Sequence, residues 1–167
     1  MYSVVENFLS EDECDYFISY YHRHRDIIRN FDDDGTFFLR FVDTSPFHIR
    51  KNMIHSRAKN YVRKNFPVKF SYSQLVQWPT GTFKSGHRDT DAKGFKPWTV
   101  PVDWTSVVYL NDDYEGGQTL VENNIINPKK GSLCVFNSKK LLHGVYPIEF
   151  GIRYTYISWW EEIKKWK

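Results

Sequence analysis

The chain has 167 residues, enough for one domain with its own core. Charged residues make up 26% and the net charge is +3, so neither a nucleic-acid-binding polycation nor an acidic disordered tail is in view. No apolar run reaches membrane-spanning length, and Met1 to Glu6 lacks the charged and apolar regions of a signal peptide. Aromatic residues are 18% of the chain, which predicts a core built around Phe, Tyr and Trp.

In chain order, a short apolar strand is expected at Tyr2–Val5. Ser10 and Glu13 then match a capping box, in which each side chain bonds the other residue's amide. Cys14, Phe17, Ile18 and Tyr21 follow at helical spacing, so a helix runs to about residue 24. Ser45-Pro46 reads as an N-cap with proline at the first helical position. Phe47, Ile54, Ala58, Tyr61 and Val62 form the apolar stripe of this second helix, and Phe66-Pro67 ends it. His22, His24, His48 and His55 lie in these helical stretches and are expected at the surface or in structural roles.

From residue 68 onward the chain reads as strands. The candidates are Lys69–Gln77, Phe83–Arg88, Trp104–Leu110, Gln118–Val121, Ser132–Phe136, Leu142–Val145 and Arg153–Trp159. Asn111-Asp112-Asp113 and Gly116-Gly117 supply turns. Helices over about 10–66 and a β-core over about 68–160 predict one mainly-β domain with flanking helices, a jelly roll spanning 1–167. Thr90–Asp103 is a long polar stretch, either a lid or a plain surface loop. Cys14 and Cys134 are far apart in apolar surroundings, which fits two buried free thiols and a reducing, cytoplasmic setting. The basic end with Lys164, Lys165 and Lys167 reads as solvated rather than as a nucleic-acid patch.

The chemistry-bearing residues sit in the strand region. His87 and Asp89 are two apart, so a strand would present both on one face. His143 lies 54 positions past Asp89 in an apolar stretch and is expected to point inward. Two histidines and one carboxylate on one face of a metal is the ligand pattern of non-haem Fe(II) oxygenases, because it leaves positions open for cosubstrate and dioxygen. By itself the H-x-D tripeptide also arises as a surface ion pair. Arg153 stands ten residues after His143, across a turn with Pro147 and Gly151, and a guanidinium inside a barrel requires an anion. Tyr109 alternates with Val107 and Thr105 and can share that interior.

Five motifs in order and spacing resemble the prolyl 4-hydroxylase branch of the 2-oxoglutarate oxygenases. They are His87-Arg88-Asp89, Val108 to Asp112, Glu115 to Thr119, His143-Gly144-Val145 and Gly151 to Tyr154. The match spans residues 70–160, with a weaker echo at Phe8 to Glu11. The resemblance implies a double-stranded β-helix fold. It implies His87, Asp89 and His143 as Fe(II) ligands, and Arg153 and Tyr109 as holders of the far carboxylate of 2-oxoglutarate. Dioxygen is the co-reactant and ascorbate a supporting reductant. The cosubstrate leaves as succinate and carbon dioxide, and a hydroxyl goes to a substrate C–H.

This chain departs from the family where a tyrosine commonly precedes the H-x-D by three residues; here that place holds Lys84. Trp78 stands where another tyrosine is common, and Tyr72 or Gln74 is the replacement donor for the near carboxylate. A peptide or protein substrate is expected, with a prolyl residue first. Trp78, Trp98, Trp104 and Trp160 are candidates for aromatic walls at the barrel mouth, although only one of Trp159 and Trp160 can face the site. The alternatives are a hydroxylase of a free amino acid or small metabolite, and a non-catalytic jelly-roll binding module. Trp159, where nucleic-acid dealkylases carry a second arginine, counts against that group, and Asp89 counts against a halogenase.

Overall fold

A computed structural model describes residues 2–25, 30–31, 35–42, 53–89 and 102–163. The elements are β1 (Tyr2–Val5), α1 (Glu11–His24), β2 (Asn30–Phe31), β3 (Phe37–Val42), α2 (Met53–Asn65), β4 (Val68–Pro79) and β5 (Lys84–His87). They continue with β6 (Trp104–Tyr109), β7 (Glu115–Gly116), β8 (Thr119–Val121), β9 (Asn124–Ile126), β10 (Leu133–Phe136), β11 (His143–Val145), β12 (Ile148–Phe150) and β13 (Ile152–Glu162).

The capping box starts α1 as its sequence requires. Ser10 Oγ accepts from the Glu13 amide at 3.3 Å, and Glu13 Oε2 accepts from the Ser10 amide at 2.8 Å. Acidic residues fill the first turn and basic ones the last, which complements the helix dipole. Cys14, Phe17 and Tyr21 form its buried stripe, and Ala58 and Val62 that of α2. The α2 start expected at Ser45-Pro46, with Phe47 and His48, lies outside the described residues. So do Thr90 to Pro101 with Trp98, and Lys164, Lys165 and Lys167.

The strands pair antiparallel in a seven-stranded sheet, β1-β10-β6-β13-β4-β3-β2, and a four-stranded sheet, β5-β11-β8-β9, with β12 and β7 forming a small third ladder. This is the expected double-stranded β-helix. The outer face of the large sheet meets both helices in one core, with Leu75, Tyr154, Tyr156 and Trp160 against Phe17, Tyr21 and Val62. The inner face contributes Val76, Trp78, Val107, Tyr109, Phe136 and Ile157 to a second core shared with Val121 of the small sheet.

Five strands, β2, β3, β7, β9 and β12, were not anticipated from the sequence. The apolar run in β3 has no alternation to mark it, and it becomes a strand by pairing along β4 from Phe37↔Gln77 to Val42↔Tyr72. The β8–β9 hairpin turns through Glu122 and Asn123 without a glycine, Glu122 taking φ of 54°, so the usual turn signal is missing. Gly116, expected in a turn, instead ends β7 paired with Ile148, and both it and Gly117 hold positive φ, 77° and 66°. A Cβ at Gly117 would lie 2.5 Å from Ile148 Cδ1 and 3.2 Å from Arg153 Cδ, so only glycine fits this close approach.

Candidate active site

The pairing of β11 with β5 sets His143 directly opposite His87. Their ring centroids are 4.3 Å apart. Asp89, just beyond β5, is anchored by its amide to Ser138 O at 3.0 Å. Its Oδ1 lies 3.6 Å from His87 Nε2 and 3.5 Å from His143 Nε2. One donor atom from each residue lies within 4.8 Å of the others.

Backbone contacts aim these donors. His87 Nδ1 lies 2.8 Å from Ser85 O, and His143 Nδ1 lies 3.0 Å from Leu141 O. A carbonyl can only accept, so each Nδ1 carries the proton and each Nε2 presents its lone pair to the shared centre. Thr105 Oγ1 donates to Asp89 Oδ2 at 3.1 Å, which leaves Oδ1 facing the histidines. Burial pushes the Asp89 carboxyl up, but His143 and His87 beside it outweigh this and hold it well below the usual carboxylate range. Asp89 in turn raises His87. The donor set of two imidazoles and one carboxylate fits a ferrous ion.

Arg153 lies at the other end of the same cavity and is 1% exposed. Its Nη2 donates to Thr119 Oγ1 at 3.2 Å, and the Tyr109 hydroxyl donates to the same oxygen at 2.9 Å. The guanidinium carbon sits 5.1 Å from the Trp78 ring centre and 5.5 Å from that of Tyr109. Nε and Nη1 are buried with no hydrogen-bond partner among the described residues, and the Tyr114 hydroxyl is likewise unmatched. Leaving such donors dry and unpaired is costly, so this end of the cavity is built for an anion.

The cavity holds about 300 Å³ and is lined by both sheets. Tyr72, Gln74 and Trp78 face into it from β4, and Lys84 from β5. The tryptophan expectation divides. Trp78 lines the cavity, whereas Trp104 and Trp160 belong to the helix-side core, because strand alternation turns them outward. Trp159 faces inward instead and stacks on Tyr72, centroids 4.5 Å apart and planes 14° apart. Sequence reasoning missed Thr119, Thr105 and Tyr114. Alternation of Thr119 with Val121 in β8 was the available signal for the first. Away from the site, His22 contacts the Tyr154 hydroxyl and His24 the Tyr20 carbonyl.

No curated protein sequence matches the chain. Solved structures do. A viral collagen prolyl hydroxylase from Paramecium Bursaria Chlorella virus-1, in complex with 2-oxoglutarate, aligns at 23% identity, covering 98% of this chain and 96% of its own, with a TM-score of 0.70. A Pseudomonas putida prolyl-4-hydroxylase aligns at 17% identity over 98% and 93%, with a TM-score of 0.70. A prolyl hydroxylase from Trichoplax adhaerens, in complex with a hypoxia inducible factor peptide fragment, aligns at 18% over 96% and 83%, with a TM-score of 0.72. At these identities the likeness establishes the fold. The model of the 2OG-Fe(II) oxygenase superfamily matches residues 73–161. That segment is more than half of the chain, and it runs from within β4 through His87, Asp89 and His143 into β13, so the protein belongs to the 2OG-Fe(II) oxygenases and is a dioxygenase that uses Fe(II) and 2-oxoglutarate.

Proposed function

We propose that the chain, as one domain over 1–167, hydroxylates prolyl residues in a peptide or protein. In this reading His87, Asp89 and His143 hold the iron. Arg153, through Nε and Nη1, binds the far carboxylate of 2-oxoglutarate, with Tyr109 and Thr119 keeping the guanidinium in place. The observation that carries the assignment is the pair of unmatched Arg153 donors at the closed end of the cavity whose other end holds the three metal donors. Thr119, bonded to Arg153, is two residues along β8 from Val121, the partner of His143. That rise of about 7 Å suits a five-carbon dicarboxylate reaching from arginine to metal.

When bound, iron, 2-oxoglutarate and dioxygen supply the oxidising chemistry, with succinate and carbon dioxide as by-products. The protein's own residues bind and orient. Thr105 and the two backbone carbonyls fix which lone pairs face the metal. Gln74, 6% exposed on the cavity face, is placed to donate to the near carboxylate of the cosubstrate. Val76, Val107 and Ile157 give that stretch of the cavity an apolar lining that excludes water.

The prolyl assignment is supported by the prolyl hydroxylases among the similar structures, one of them holding a peptide. The flat Tyr72–Trp159 wall supports it from within this chain, since aromatic surfaces suit proline rings and extended backbones. Incubation with Fe(II), 2-oxoglutarate, ascorbate and proline-containing peptides, followed by mass spectrometry, tests it. A gain of one oxygen on proline is the expected result. Stimulation of succinate formation by free amino acids alone would move the protein to the small-metabolite hydroxylases.

A further inference from the structure

The closed end of the cavity holds its arginine beside two aromatic rings. Trp78 and Arg153 are directly opposite in the β4–β13 ladder, so their side chains leave the sheet on the same face. The guanidinium carbon stands 5.1 Å from the Trp78 ring centre and 5.5 Å from that of Tyr109. Each ring is pinned at its polar atom. Trp78 is buried, and its Nε1 donates at 3.0 Å to Thr155 Oγ1, two residues along β13 from Arg153. The Tyr109 hydroxyl donates to Thr119 at 2.9 Å.

These ties decide what the indole can do. It has one hydrogen-bond donor, and Thr155 takes it, so Trp78 has no donor to offer an anion. Its π face remains, and a π face attracts a cation. Arg153 needs such a hold. A long side chain loses rotamer freedom when it is fixed, and Nε and Nη1 have no partner among the described residues to fix them. Nη2 is anchored, on Thr119. A guanidinium tethered at one nitrogen can pivot about it, and a ring lying against it limits that pivot.

We propose that Trp78 is a positioning residue for the cosubstrate: its pinned indole holds the Arg153 guanidinium with the unmatched donors turned toward the far carboxylate. The proposal rests on the reading of Arg153 given above. Trp78 makes no contact with the carboxylate itself, and Thr155 serves to hold the indole. Ordering the guanidinium before the ligand arrives removes a cost from binding.

The test is equilibrium binding by calorimetry on the Fe(II)-loaded protein without dioxygen, so that no turnover intervenes. Two ligands are compared: 2-oxoglutarate, and 2-oxopentanoate, which has the same carbon chain and lacks the far carboxylate. Trp78→Leu weakens 2-oxoglutarate binding by about tenfold to thirtyfold, the scale of a buried cation–π contact, and leaves 2-oxopentanoate within about twofold. In an Arg153→Ala background the same substitution changes 2-oxoglutarate binding by less than about twofold, because the residue it acts through is gone. Trp78→Phe and Thr155→Val keep a ring and remove the tie. Each loses about threefold for 2-oxoglutarate and nothing for 2-oxopentanoate, and these two decide the matter should Trp78→Leu not fold. Equal losses for both ligands overturn the proposal, since the indole would then only shape the cavity. A full loss from Trp78→Leu in the Arg153→Ala background overturns it too, since the indole would then touch the cosubstrate directly. If Arg153→Ala loses affinity while the Trp78 and Thr155 variants keep it, the Trp78 proposal falls alone. If Arg153→Ala binds 2-oxoglutarate as tightly as the native protein, the reading of Arg153 falls and the proposal with it.

Discussion

The two faces of strands β4, β6 and β13 are built on opposite principles. Toward the helices, large side chains are buried and, Trp104 Nε1 excepted, their polar atoms are matched: Trp160 Nε1 donates to Ser106 at 2.9 Å, and the Tyr156 hydroxyl donates to Ser73 at 3.0 Å. Toward the cavity, β13 carries Arg153 with two donors unmatched, and the small sheet opposite presents an acid between two histidines. Alternation lets one strand serve both purposes, because neighbouring residues face away from each other. The helix face supplies stability, and the cavity face tolerates unmatched charge where a ligand is to bind.

The sharpest break of this comparison is at the three residues proposed to hold iron. His87→Ala, Asp89→Ala or His143→Ala should each abolish 2-oxoglutarate turnover, and Asp89→Glu should fail as well because the extra methylene displaces the carboxylate. Full activity in any one of them would sink the assignment. Next come two large residues on opposite faces of β13. Trp160→Ala should lower stability by about 3–5 kcal/mol, read by denaturant unfolding. Arg153→Ala should keep the fold and weaken 2-oxoglutarate binding by about 2–5 kcal/mol. Cosubstrate should raise the Tm of the native protein and not that of Arg153→Ala.

A finer contrast uses two fully buried tyrosines, Tyr109, whose hydroxyl donates to Thr119, and Tyr156, whose hydroxyl donates to Ser73. Tyr109→Phe and Tyr156→Phe should each cost about 0.5–1.5 kcal/mol. For Tyr109 the loss should appear in the 2-oxoglutarate KM, and for Tyr156 in stability alone. Equal KM values in the two variants would erase the distinction between the faces.

The smallest effect concerns one thiol in each core. Burial pushes Cys14 up to about 11 and Cys134 up to about 12. Both stay protonated in the folded protein at pH 8, so a thiol reagent should label neither until the chain unfolds. Since the folded values are raised, the stability they contribute is complete below the ordinary thiol range and is lost as pH rises through the folded values. Labelling of the native protein at pH 8 would show that one of the cores opens.

Much of this arrangement was legible in the residues themselves. The capping box at Ser10 and Glu13 is local chemistry, and it forms as written. His87, Asp89, His143 and Arg153 stood out because a metal and an anion would demand such side chains, and the structure gathers all four around one cavity. Tertiary structure alone decided which tryptophans face the cavity, that Thr119 bridges Tyr109 and Arg153, and that Lys84 shares a wall with His87. Each of these depends on strand register. A slip of one residue moves a side chain to the opposite face, and register is set by partners far away in sequence, such as Val145 for Lys84 and Tyr72 for Trp159.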